Sequence, residues 1–181
     1  MKLSLILPLC LLSIGCSSEV DKRIYTNSYT VDINPNVLDA NDTVLNSLKA
    51  WEDIAGVKFN IAINDKVCDD SCIDEFTISM RPMSDFASID PNDCGDDSCI
   101  ALTSFSNTFS SVMIGDTVVA GVDNYTFQQT AIHEIGHALG LIHTGSGTIM
   151  CAYQSCEPTD ITCEDLNQYN SLRGYTLESC K

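Results

Sequence analysis

HEIGHALGLIHTGSGTIM, residues 133–150, decides how this chain is read. All three histidines of its 181 residues stand here, at positions 133, 137 and 143. His133 and His137 are four apart. On a helix that spacing puts both on one face, a turn apart, with ring nitrogens able to converge on one ion. Glu134 lies one residue round from His133. It cannot point the same way, but it can reach a water at that ion. Gly140 permits the helix to end, because glycine takes the left-handed conformation without steric cost. His143 then approaches the ion from outside the helix. Three protein ligands leave zinc an open fourth position, where water is acidified to a pKa of about 7. A carboxylate alongside can take its proton. The pattern therefore nominates His133, His137 and His143 as metal ligands, Glu134 as general base, and one Zn2+ as cofactor.

The rest of the chain frames that motif. Hydrophobic residues make up 44% of it, enough for one folded domain. A formal charge of −16 excludes nucleic acid as a partner, since phosphate binding needs Lys and Arg. It also disfavours a polybasic membrane patch. The start, MKLSLILPLCLLSIGC, combines a basic residue with an apolar run of signal-peptide length. LLSIGC resembles the lipobox of bacterial lipoproteins, with Ser13 where leucine usually stands. An ordinary secretory signal is the alternative. The expected organisation is a signal peptide over residues 1–15, a tether over 16–27 lipidated at Cys16, and a catalytic domain over 28–181. The chain is thus expected at a bacterial cell envelope, or else secreted, as a monomer. With Cys10 removed and Cys16 lipidated, eight of the ten cysteines remain. That is an even set suited to disulfides in an oxidising compartment. Cys94 with Cys99 is the local pair expected.

Periodicity supplies the elements. YTVDI (29–33), VKFNIAI (57–63), FTISM (76–80), IALTSF (100–105) and SSVMIG (110–115) read as strands, the last extended by TVVAGV. Val44, Leu48 and Trp51 mark a helix capped by a preceding Asp or Asn and stopped by Gly56. TFQQTAIHEIGHALGL predicts a second helix ending at Gly140. ITCEDLNQYNSLRG predicts a third, with Thr162 as N-cap, Asp165 three residues on, and Leu166, Tyr169 and Leu172 on one face. The acidic loops 64–75 and 88–99 carry Cys68, Cys72, Cys94 and Cys99 among Asp and Asn. The second offers oxygen ligands for Ca2+ without matching a calcium-loop pattern, so a disulfide-stapled loop is the preferred reading. The sum is an α+β domain.

HEIGHALGLIH followed by TGSGTIM is similar to the metzincin zinc peptidases, with Met150 at their Met-turn. The interval of seven between His143 and Met150, the tryptophan-bearing VLNSLKAWEDIAGVKFNI and the closing ITCEDLNQYNSLRGY resemble the matrixins among them. The resemblance spans residues 28 to 175. It implies a zincin-like fold: a twisted, mostly parallel sheet of about five strands, an antiparallel edge strand, and three helices. It implies an endopeptidase acting on protein or peptide substrates, with Glu134 as base and proton shuttle and Met150 as an apolar floor under the ion. IALTSF would be the edge on which substrate lies, and Cys151 to Ser155 a pocket wall that includes Tyr153. The histidines of a second, structural zinc site are missing, so one zinc is expected. Two other classes fit less well: a catalytically silent binding lipoprotein on the same scaffold, and a metal-carrying lipoprotein. The intact Glu134 argues against both.

Overall fold

A computed structural model describes residues 25–38, 42–64, 76–82, 84, 101–105, 109–115, 124–152 and 160–175. Ser28–Ile33 (β1), Lys58–Ile63 (β2), Thr77–Pro82 (β3), Ala101–Phe105 (β4) and Phe109–Ile114 (β5) form one sheet in the order β2-β1-β3-β5-β4. All neighbours are parallel except β4, which runs antiparallel to β5 at the edge. The helices are Thr43–Ala55 (α1), Asn124–Ala138 (α2) and Cys163–Leu172 (α3). This is the α+β arrangement expected from the sequence, with strand bounds shifted by a residue or two. Among the described residues no helix is long and apolar enough to cross a membrane.

Two-residue periodicity explains the sheet's faces. Val31, Ile33, Ile78, Met80, Val112 and Ile114 share one face and are buried in the core with Trp51 of α1 and Ile132 and Ile135 of α2. Most of the intervening residues are polar (Asp32, Thr77, Ser79, Arg81 and Ser111), with Met113 the apolar one. All of them are buried as well. The alternation in β1 and β3 thus marks two chemistries rather than one wet face and one dry one. Arg81, 1% exposed, forms an ion pair with Asp32. Its Nε donates to Ser79 Oγ at 3.2 Å and its Nη1 to the Asn64 carbonyl at 3.3 Å, while Asn64 donates to Asp32. A guanidinium buried this deeply is tolerable only because several of its donors are met.

The helices follow their signals with two departures. Asp42 occupies the N-cap position of α1 but makes no side-chain cap bond, because its backbone is left-handed (φ 54°). An effective N-cap is normally extended, which is what turns its side chain onto the first free amides. Gly56 ends α1 as expected, left-handed at φ 71° with its N–H on the Glu52 carbonyl. The second departure is that α2 stops at Ala138, two residues before Gly140. The acidic loops 65–75 and 88–99, the Cys94–Cys99 pair, TVVAGV, Tyr153 to Ser155 and residues 1–24 lie outside the described residues.

Removing Asp32 tests the sheet's ion pair. Asp32→Ala leaves Arg81 buried without its counter-charge, and a loss of about 3–5 kcal/mol is expected in urea unfolding. A loss below about 1 kcal/mol would mean the pair is effectively solvated.

Candidate metal and catalytic site

Packing of α2 sets the site. The Trp51 indole N–H donates to the Ile132 carbonyl at 3.0 Å, joining α1 to α2 one residue before His133. Gly136 faces the same place. A Cβ there would stand 2.4 Å from Met150 Sδ and 3.1 Å from a Trp51 ring carbon. Gly136 therefore lets the fully buried Met150 press against the helix between the two histidines' turns. Met150 thus packs directly against the histidine-bearing helix.

The helix then closes in a paired-bond terminus. Gly140 is left-handed (φ 99°). Its N–H reaches the His137 carbonyl at 2.8 Å, and the Leu141 N–H reaches the Gly136 carbonyl at 3.0 Å. These are the two bonds of a Schellman cap. The reversal swings the chain back, and the Nε2 atoms of His137 and His143 end 3.1 Å apart.

Backbone carbonyls orient two of the rings. His133 Nδ1 lies 2.7 Å from the Ile149 carbonyl, and His137 Nδ1 lies 2.8 Å from the Leu141 carbonyl. A carbonyl only accepts, so each Nδ1 carries the proton and each Nε2 keeps a lone pair for a metal. The Ile149 carbonyl is itself fixed through Asp165. That carboxylate, fully buried, accepts from the Ile149 N–H at 3.1 Å, the Met150 N–H at 3.3 Å and the Thr162 hydroxyl at 2.6 Å. The expected capping box of Thr162 and Asp165 is present, but Asp165 does more than cap α3. It ties α3 to the turn beneath His133.

His133, His137 and His143 offer ligand atoms within 4.8 Å of one another. A tetrahedral zinc with Zn–N bonds of about 2.0–2.1 Å spaces its nitrogens by about 3.4 Å. Three imidazoles are a donor set that fits zinc. Glu134, next to His133 in the chain, is buried, 7% exposed. The Thr103 hydroxyl of β4 donates to its Oε2 at 2.5 Å. The three histidines nominated from the sequence are therefore together, and the nominated Glu134 follows His133 in the chain with its carboxylate on Thr103. Thr103 and the positioning role of Asp165 were not foreseen. Asp165 had a signal in its capping-box position, whereas Thr103 had none beyond lying in a strand.

The matrixin family model (Peptidase_M10) matches residues 22–174. The chain belongs to the matrixin family. It thereby carries a metallopeptidase-type domain. No curated protein matches it.

Burial tunes this matrixin's ionisable groups. It pushes His137 down to about 4, with His133 and His143 adding repulsion. His133 and His143 are also lowered, chiefly by burial. Neutral rings at pH 7 are what a metal requires. Burial raises Glu134 to about 7, against the opposing bond from Thr103.

Two expectations follow from this geometry. Gly136→Ala should destabilise by about 1–3 kcal/mol through overpacking, although alanine favours helix. In a Met150→Ala background the same change should become neutral or stabilising, and a double-mutant cycle by urea unfolding reads the coupling. Glu134→Gln should stabilise the chelator-treated, metal-free chain at pH 8 and leave it unchanged at pH 4. The sign follows from the raised folded pKa. Below the unfolded value of 4.5 both states are protonated. Between there and about 7 only the unfolded state ionises, so stability falls with pH. The penalty that glutamine removes is thus full at pH 8, at roughly 3 kcal/mol. Thermal midpoints of both proteins across that range check it.

Proposed function

We propose that this matrixin is a zinc-dependent endopeptidase. The observation that carries the reading is the convergence of three neutral imidazole nitrogens beside one buried carboxylate. His133, His137 and His143 would hold the ion. Zinc so held supplies a Lewis acid for the scissile carbonyl and makes water a nucleophile at neutral pH. Glu134 would take the proton from the attacking water and deliver it to the leaving amine. A carboxyl group already raised towards neutrality by burial suits both halves of that transfer. Met150 would keep the ligand helix level from below. The free edge of β4 would pair with an extended peptide through main-chain hydrogen bonds, and the segment from Cys151 to Ser155 would wall the next pocket.

We also propose that the chain is exported, with residues 1–15 as signal, Cys16 lipidated at a bacterial envelope, 16–27 as tether and 28–181 as catalytic domain. Cys151 and Cys163 would be engaged in disulfides, as suits an oxidising compartment.

The test measures zinc content and cleavage of denatured casein on one sample of the processed protein. Wild type should bind one zinc per chain and cut. Glu134→Ala should keep its zinc and lose about 10²–10⁴-fold in rate, and chelation should abolish cutting. A Glu134→Ala protein as active as wild type would overturn the mechanism, and a metal-free wild type would overturn the ligand set.

A further inference from the structure

We propose that Thr103 is a positioning residue that divides the labour of the Glu134 carboxylate, holding Oε2 and leaving Oε1 to take the proton. The inference rests on the peptidase reading above and deepens it. Thr103 sits mid-strand in β4, in register with Val112 of β5. Paired residues across a ladder share a face, and Val112 is buried in the core against which α2 packs. Thr103 therefore points at α2. Its flanking residue Leu102, on the opposite face, is 41% exposed.

The hydroxyl lies within reach of two atoms of one residue: Glu134 Oε2 at 2.5 Å and the Glu134 carbonyl at 3.2 Å. It has one hydrogen. The carboxylate takes it, because a charge-assisted bond at short range outweighs a long one to a helix carbonyl. Among the described residues, Thr103 is the only hydrogen-bond partner of the Glu134 side chain. Three torsions separate that carboxylate from its helix, and packing alone leaves the last of them broad. The β-branched threonine is itself stiff at χ1. It thus transfers the rigidity of the sheet to the working end of a flexible side chain. Displacement of a catalytic group by about 1 Å can cost about 10²-fold in rate, so an anchor of this kind is felt in turnover.

Thr103→Val keeps size and branching but deletes the hydroxyl, and Thr103→Ser keeps the hydroxyl. Each is compared with wild type in the full processed chain, zinc content determined, on a quenched-fluorescence peptide built around a cut site in casein. The valine variant should retain its zinc, lose about ten- to hundredfold in kcat and change KM by less than about twofold. Serine should restore kcat to within about threefold of wild type. A crystal structure of the valine variant should show the Glu134 carboxylate rotated or in more than one rotamer. Wild-type kcat in the valine variant, serine as slow as valine, or an unmoved Glu134 rotamer would each overturn the proposal. Failure of zinc-loaded wild type to cut anything would instead overturn the peptidase reading, and the rotamer would then decide the role of Thr103 by itself.

Discussion

The site depends on one buried carboxylate that makes no hydrogen bond to any of the three histidines. Asp165 has no exposed surface, yet it receives the amides of Ile149 and Met150 and the hydroxyl and amide of Thr162. Several donors on one carboxylate compensate the loss of water. What they secure is a turn, and the turn has two working parts. Its Ile149 carbonyl sets the His133 ring, and its Met150 side chain fills the hollow that Gly136 leaves in α2. Without that carboxylate the turn's amides would be orphaned in a closed space, and both parts would lose their reference.

Electrostatics and packing act in the same direction here. Burial keeps the three imidazoles neutral and raises Glu134. A metal-free domain bears that strain as reduced stability, and a bound cation would relieve it. The side of the sheet remote from α2 shows the opposite solution. There Asp32 and Arg81 are buried as a charged pair with Asn64 and Ser79 as partners.

The sequence was legible where chemistry is local. Four-residue spacing of His133 and His137, a glycine stop and the next histidine specify a ligand set within one helix and its exit. Two-residue and helical periods also located the strands and helices of the described core. Less legible were contacts made across the chain. Thr103 reaches Glu134 from a strand 31 residues away, and no local pattern encodes which hydroxyl meets which carboxylate. The alternation in FTISM marked a strand but not what covers it, and every residue of β3 is buried. Burial depends on what covers a sheet, and a strand's own pattern is silent on that. Asp42 shows the remaining limit, since cap residue type was right and backbone conformation removed its effect.

The separation between ligands and their supports bears on folding order. The imidazoles arise from one short stretch and could be brought near one another by a helix and a turn. The helix that carries two of them is placed by Trp51, whose bond to Ile132 spans 81 positions, the turn that orients His133 by Asp165, and the Glu134 carboxylate by Thr103. Long-range contacts of that kind form late, because loop-closure entropy must be overcome first. A chain with its sheet incomplete can gather the three histidines but cannot fix the Glu134 carboxylate. Assembly of the complete site then coincides with complete folding, and a nascent chain would be spared the activity proposed for it.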